Sequence, residues 1–344
     1  MSDPFGAVLV VAFGGPQGPE DVRPFLGNVL RGRRVAPGRI DEVAHHYELF
    51  GGVSPLTELT LRQAELLRTR LHERAVLLPV YVGMRNWHPY LADTLAAMSR
   101  DGVRRAVGFL AAAQRSYSSC TQYRENVDAA RVMLHEAGLP DVAITYVGDW
   151  HTSSGFVAAN AAHVVEALGR LPEDLRDRAR IVFTAHSIPV SMAERYPYQR
   201  QLEESARAVA ARVADLRKQG SEVPDPGPSR AAAPDWALVY QSRSGRPDDP
   251  WLGPDVSDYL RAETATGLAA AVLCPVGFLC DHIEVLYDLD VEAAATCQAI
   301  GLPMVRARAV NDHPRFIDAA ADAVIEAIER YAGGRPLPIV AHPA

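Results

Sequence analysis

Eight short runs of apolar, β-branched residues punctuate this chain, and longer segments with apolar residues at helical spacing separate them. The runs are Ala7–Phe13, Leu77–Gly83, Arg105–Leu110, Ala143–Val147, Arg180–Ala185, Trp236–Gln241, Ala270–Pro275 and Met304–Ala307. Such alternation is what parallel sheets covered by helices require, because each strand must be buried on both faces. Four strands followed by four more predict an α/β chain of two similar doubly wound halves, with a border near residues 150–175. The 344 residues are enough for two domains, placed at 1–160 and 161–344.

Residues 19–75 are too long for one crossover and are expected to hold three helices. Lying beyond the carboxyl end of the first strand, they stand where a lid or pocket wall would form. Pro89, Leu91, Leu95, Met98 and Gly102 mark a further helix by its start, apolar stripe and stop. Residues 219–234, rich in Gly, Pro and Ser, read as a surface loop.

Composition removes several classes of function. With 48% hydrophobic and 22% charged residues, the chain is globular rather than disordered. A net charge of −7 argues against a general nucleic-acid binder, whose affinity comes from neutralising phosphates. No apolar run reaches membrane-spanning length and residues 1–6 lack a signal-peptide pattern, so a cytoplasmic protein without integral membrane association is expected. The lone lysine, Lys218, is placed in a polar loop, which sets aside Schiff-base chemistry. Cys120, Cys274, Cys280 and Cys297 are scattered without a C-x-x-C pair, so neither a disulfide framework nor a zinc ribbon is indicated. Cys274 reads as a small apolar residue in a strand.

Five elements carry possible chemistry. Phe13-Gly14-Gly15-Pro16 ends the first strand with a turn that lets a ligand approach the backbone, but it is neither a dinucleotide fingerprint nor a Walker motif. Arg31, Arg33 and Arg34 form a basic patch that suits carboxylates or phosphates, or a solvated helix end. His45-His46-Tyr47 precedes Gly51-Gly52-Val53-Ser54-Pro55, a turn that joins two helices or offers N–H groups to an anion.

His186 stands at the carboxyl end of a buried strand, the edge where open α/β sheets place ligands, and has the best claim among 11 histidines to proton transfer or metal binding. After the seventh strand, Cys274 to Glu292 reads as a Pro/Gly turn and then a helix capped by Asp281. Glu284, Asp288 and Glu292 recur every four residues along one face of that helix. They form either an exposed acidic face or a path for a divalent cation. The coincidence with His186, at a strand end in the same half, favours the path.

Together these motifs, with Gln241-Ser242-Arg243-Ser244 and Pro250 to Val256, resemble the ferrochelatase family, especially its bacterial branch acting on coproporphyrin III. They occur in family order over about residues 7–330. The resemblance implies two Rossmann-like, chelatase-type domains, each with a four-stranded parallel sheet flanked by helices, and an active cleft between them. It implies Fe2+ insertion into the porphyrin, with His186 and Glu284 as the catalytic metal-site pair and Asp288 and Glu292 as the outer metal path. Phe13, Arg31, Tyr47, Ser54 and Tyr123 fall where the family holds the porphyrin and its propionates.

Fe2+ enters as substrate, and no resident cofactor is expected. Many bacterial relatives carry a tyrosine where Phe13 stands, so a product without that axial oxygen is expected. Some relatives bind a [2Fe–2S] cluster; Val190–Tyr198 and Arg335–Ala344 contain no cysteine, so none is expected. A downstream haem-synthesis enzyme is the expected partner. The alternatives are a protoporphyrin IX ferrochelatase, a non-catalytic porphyrin or haem carrier, and a chelatase for another tetrapyrrole.

Overall fold

The structure, a computed structural model, describes residues 4–32, 38–219, 234–244 and 248–332. Arg33 and Arg34 of the basic patch, residues 220–233 of the expected loop and the segment Arg335–Ala344 lie outside the described residues. All eight expected strands form: β1 (Ala7–Ala12), β2 (Val80–Met84), β3 (Arg105–Leu110), β4 (Ala143–Tyr146), β5 (Ala179–His186), β6 (Trp236–Gln241), β7 (Ala270–Cys274) and β8 (Met304–Arg306). They build two four-stranded parallel sheets of the same design, ordered β2-β1-β3-β4 and β6-β5-β7-β8. Every residue of β1 and β7 is buried, as strands covered on both faces must be.

One strand starts later than its apolar run. Pro79 has no N–H to donate to a ladder, so β2 begins at Val80, paired with Val8, and Leu77 is left 75% exposed. Residues 19–75 hold the three expected helices, Pro19–Val29, Arg39–Glu48 and Leu56–Glu73. Leu91, Leu95 and Met98 are buried on the helix Leu91–Arg100, as their spacing requires. Lys218 departs from expectation: it lies in the last turn of the helix Tyr198–Gln219, not in a loop. Its charge is favourable there, at the negative end of the helix dipole.

The chain divides into two compact units, one of Met1–Ala112, Tyr117–Trp150 and Ile317–Ala344, the other of Ala113–Ser116 and His151–Phe316. This differs from a division at residue 160 in three respects, the first being that Ala113–Ser116 belongs to the second unit. The helix Ser154–Gly169 lies wholly in the second unit, packed against the helix Tyr198–Gln219 and against β7 and β8. The C-terminal helix Pro314–Ala332 leaves the second unit after Phe316 and packs on the first.

That packing is specific: the Tyr331 ring lies edge-on to Phe5 at 5.1 Å and under the Arg105 guanidinium at 4.8 Å, while Asp318 pairs with Arg70 at 3.0 Å and Arg74 at 3.2 Å. Among the described residues, no helix is long and apolar enough to cross a membrane.

Phe5 is 2% exposed and fastens the C-terminal helix to the start of the first sheet. Phe5→Ala is expected to lower unfolding free energy by about 3 kcal/mol, as other buried phenylalanine truncations do. Urea denaturation measures this. A loss under about 1 kcal/mol would mean that the C-terminal helix contributes little to the first unit.

Candidate active site

In both sheets the strand order reverses about two central strands, β1 and β3 in the first and β5 and β7 in the second. Neighbouring connections then leave in opposite directions, opening a crevice beyond the carboxyl ends of those strands. His186 is the last residue of β5, and Glu284 follows β7.

The turn after β7 lies unusually close to β5. Gly277 donates its N–H to the Thr184 carbonyl at 3.1 Å, and a Cβ on Gly277 would stand 2.5 Å from that of Ala185. Only glycine permits this approach, which brings Glu284 to His186.

The imidazole Nε2 of His186 lies 3.8 Å from Oε2 of Glu284, and both side chains are partly exposed, at 33% and 46%. On the other side of the ring, Nδ1 bonds to the Ser187 carbonyl. A carbonyl only accepts, so Nδ1 carries a proton, and Nε2 is the ring nitrogen that faces Glu284. The Tyr198 hydroxyl donates to the His186 carbonyl at 3.0 Å, and burial raises that phenol above its ordinary range.

The acidic residues lie on a helix of unexpected kind. A short α segment, Ile283–Val285, passes into a π-helix over Leu286–Ala293 and then into the α-helix Ala294–Ile300. An i→i+5 ladder widens the helix relative to the α form and is found mostly as short segments at functional sites. Asp288 and Glu292 lie within the π segment, and Glu284 lies in the α segment before it. Hydrophobic periodicity does not distinguish the two windings over so short a segment.

Asp281 is not the cap that its position suggested. Its carboxylate accepts from Ala309 N–H at 3.0 Å, from Asn311 Nδ2 at 2.7 Å and from Arg306 at 2.7 Å, so its acceptors are spent on the loop after β8. His282 caps the helix instead, its Nδ1 accepting from Val285 N–H at 3.4 Å; burial holds its imidazole below the usual pKa.

Asp288 is the most perturbed carboxyl here. Burial pushes its pKa up to about 7, the charges of Glu284 and Glu292 push the same way, and donation from Ser242 and Gln241 opposes them. Gln241 Nε2 reaches Asp288 Oδ2 at 3.2 Å and the Glu284 carbonyl at 3.0 Å, and the Ser242 hydroxyl also donates to Asp288. Ser242 holds φ at +59°, a left-handed conformation costly for a side chain with a Cβ. Among the described residues, nowhere do three or more His, Cys, Asp or Glu side chains form a group able to hold a metal ion. His186 and Glu284 form a two-donor pair, with Asp288 and Glu292 coupled to it by charge.

The other expected residues gather in the first unit. Phe13, at the end of β1, lies edge-on to Phe25 at 6.2 Å, and Tyr47 meets the same ring at 5.8 Å. Trp87 completes this group, 6.3 Å from Phe25. Ser54 is 4% exposed and donates its N–H to the Pro16 carbonyl at 2.8 Å, so the turn after Gly52 packs on the turn after Phe13. Gly52 has φ of +75°, and a Cβ there would stand 2.4 Å from Pro19 Cα. The segment therefore joins two helices and also seats Ser54.

Exposed Arg31 donates to Asn28 Oδ1 at 2.7 Å, and Asn28 donates to Tyr90 at 3.1 Å, which ties the arginine to the same aromatic group. Tyr123 is 6% exposed inside the core cluster against which Phe13 packs. Sequence reasoning did not single out Phe25, Trp87, Asn28 or Tyr90, which lie in helices and loops without a motif of their own. It quoted Gln241 and Ser242 without giving them a task. The available signal was a polar residue ending an apolar strand, as at His186.

A ferrochelatase family profile matches residues 6–328. The chain is 43% identical to the coproporphyrin III ferrochelatase of Streptomyces coelicolor over 331 residues, covering 94% of this chain and 86% of that protein. It is equally identical to that of Mycobacterium avium over 325 residues (94% and 88% covered), and to a ferrochelatase of Rhodopirellula baltica over 327 residues (94% and 86% covered). Among solved structures, Bacillus subtilis SirB with Fe3+ matches at a TM-score of 0.54 and 11% identity, covering 96% of this chain and 98% of that one. That likeness extends to the fold alone.

Raised to about 7, the Asp288 pKa makes the folded state favour the protonated carboxyl. Its contribution to stability is complete below the unfolded pKa and is lost as pH rises through about 7. Asp288→Asn should thus gain stability relative to the parent protein by on the order of 2 kcal/mol between pH 5 and pH 8. Urea unfolding at the two pH values measures the difference, and an offset independent of pH would contradict the assigned titration.

Proposed function

The chain belongs to the ferrochelatase family, and on that premise we propose that it is a lyase inserting Fe2+ into coproporphyrin III to give Fe-coproporphyrin III, with release of two protons, in haem biosynthesis. The observation that carries the mechanism is the His186–Glu284 pair at the switch point of the second sheet. Metallation exchanges two pyrrole N–H protons for one cation, so the site must accept protons and hold the ion only in passing. In its unprotonated form Nε2 of His186 accepts one pyrrole proton, passes it on through Glu284 and then accepts the second. Glu284 faces the resulting imidazolium, stabilises it and offers a carboxylate to the ion. Asp288, with a pKa near neutrality, takes and returns protons between Glu284 and the more exposed Glu292. Glu284, Asp288 and Glu292 together give Fe2+ a graded path of carboxylates.

Phe13, Arg31, Tyr47 and Ser54 are assigned to the porphyrin. The aromatic rings around Phe25 offer an apolar contact for the macrocycle, and exposed Arg31 pairs with a propionate. Buried Tyr123 backs the Phe13 wall. Phe13 has no donor atom and gives the product iron no axial ligand. Fe2+ is substrate, and no resident cofactor is assigned. All four cysteines are free and buried, which suits a reducing cytoplasm. A further enzyme of haem synthesis receives the product.

His186→Ala should reduce Fe2+ insertion by ~100-fold or more while leaving porphyrin affinity within a few-fold. Anaerobic absorbance assays and porphyrin fluorescence quenching read the two effects separately; substantial turnover in the variant would refute the role of the imidazole. Coproporphyrin III carries two more carboxylates than protoporphyrin IX, and one further charge-assisted contact gives about a tenfold preference in kcat/KM. Parallel turnover of both porphyrins tests this, and equal efficiencies would assign the enzyme to dicarboxylate and tetracarboxylate substrates alike.

A further inference from the structure

The acidic helix changes winding at a defined place: Glu284 lies in the α segment and Leu286 opens the π-helix. Such a junction is conformationally costly, because a short α-helix is the ordinary alternative for the same residues. A side chain from another element sits on it. Gln241 ends β6, pairs in parallel register with His186, and is 1% exposed. Its Nε2 reaches the Glu284 carbonyl at 3.0 Å and Asp288 Oδ2 at 3.2 Å. The Glu284 carbonyl can only accept, so the amide orientation is fixed by chemistry: the opposite flip would set oxygen against that oxygen. The Gln241 carbonyl oxygen is buried without a partner among the described residues, a cost tolerated for the placement of the amine.

We propose that Gln241 is a positioning residue that clamps the α-to-π junction and so sets the spacing of Glu284 and Asp288 along the metal path. Its two N–H bonds join the backbone of one acidic residue to the carboxylate of the next. Because Gln241 is the strand neighbour of His186, the clamp also registers that path to the imidazole. Left-handed Ser242 adds a second donor to Asp288 but none to the junction carbonyl. The kinetic consequence rests on the ferrochelatase function proposed above; the conformational one does not.

Gln241→Met keeps the reach of the side chain and removes both donors. In the full-length apo protein, hydrogen exchange of the backbone amides in residues 284–293 should quicken by on the order of tenfold, with other regions within twofold. Ser242→Ala, which spares the carbonyl bond, should leave exchange at residues 284–287 unchanged. In Fe2+ insertion assays, Gln241→Met should raise the apparent KM for Fe2+ about tenfold, with the KM for coproporphyrin III and kcat within twofold.

Unchanged exchange in Gln241→Met would overturn the clamp whatever the enzyme turns over. Faster exchange with an unaltered KM for Fe2+, or with a loss of kcat alone, would overturn its role in the metal path. Absence of Fe2+ insertion by the parent protein would refute the proposed function, and the exchange measurements would still decide the clamp.

Discussion

The geometry of this protein rests on the reversal of strand order within a parallel sheet. Hydrogen bonding in β6-β5-β7-β8 fixes neighbouring strands in register, so the carboxyl ends of β5 and β7 lie side by side while their connections leave in opposite directions. A side chain at the end of β5 and a turn after β7 are forced to share one crevice. Gly277 narrows that crevice further, because its missing Cβ lets the second turn rest on Ala185. The pairing of His186 with Glu284 follows from these backbone constraints, with no attraction between the two side chains needed to create it.

Upon that frame, hydrogen bonds decide what the groups can do. The carbonyl of Ser187 holds a proton on Nδ1 of His186 and orients the ring so that Nε2 faces the carboxylate of Glu284. Burial raises Asp288 toward neutrality while Ser242 and Gln241 restrain the shift. A carboxyl balanced in this way exchanges protons at physiological pH, and three like charges on one helix become tolerable when one of them is partly protonated.

Much of this was legible in the residues. Apolar runs located all eight strands, and the one late start, at β2, follows from Pro79. His186 and the acidic spacing were visible because polar residues at strand ends and at regular helical intervals are unusual against apolar surroundings. Other features had no local signal. Asp281 has the composition of a helix cap, yet its acceptors are taken by Arg306, Ala309 and Asn311, which lie more than twenty residues away. The C-terminal helix follows the second half in sequence but packs on Phe5 and Arg105 of the first unit, a long-range contact that periodicity does not encode.

The sequence by itself determined the layered α/β class, the two four-stranded sheets and the identity of the groups at their carboxyl edges, because burial imposes patterns on neighbouring residues. Tertiary structure alone decided the 3.8 Å approach of His186 to Glu284, the π winding of the acidic helix, the left-handed Ser242 and the bridging amide of Gln241. Each of these depends on strands and turns tens of residues apart being brought into register. Local propensity carries no record of such distances.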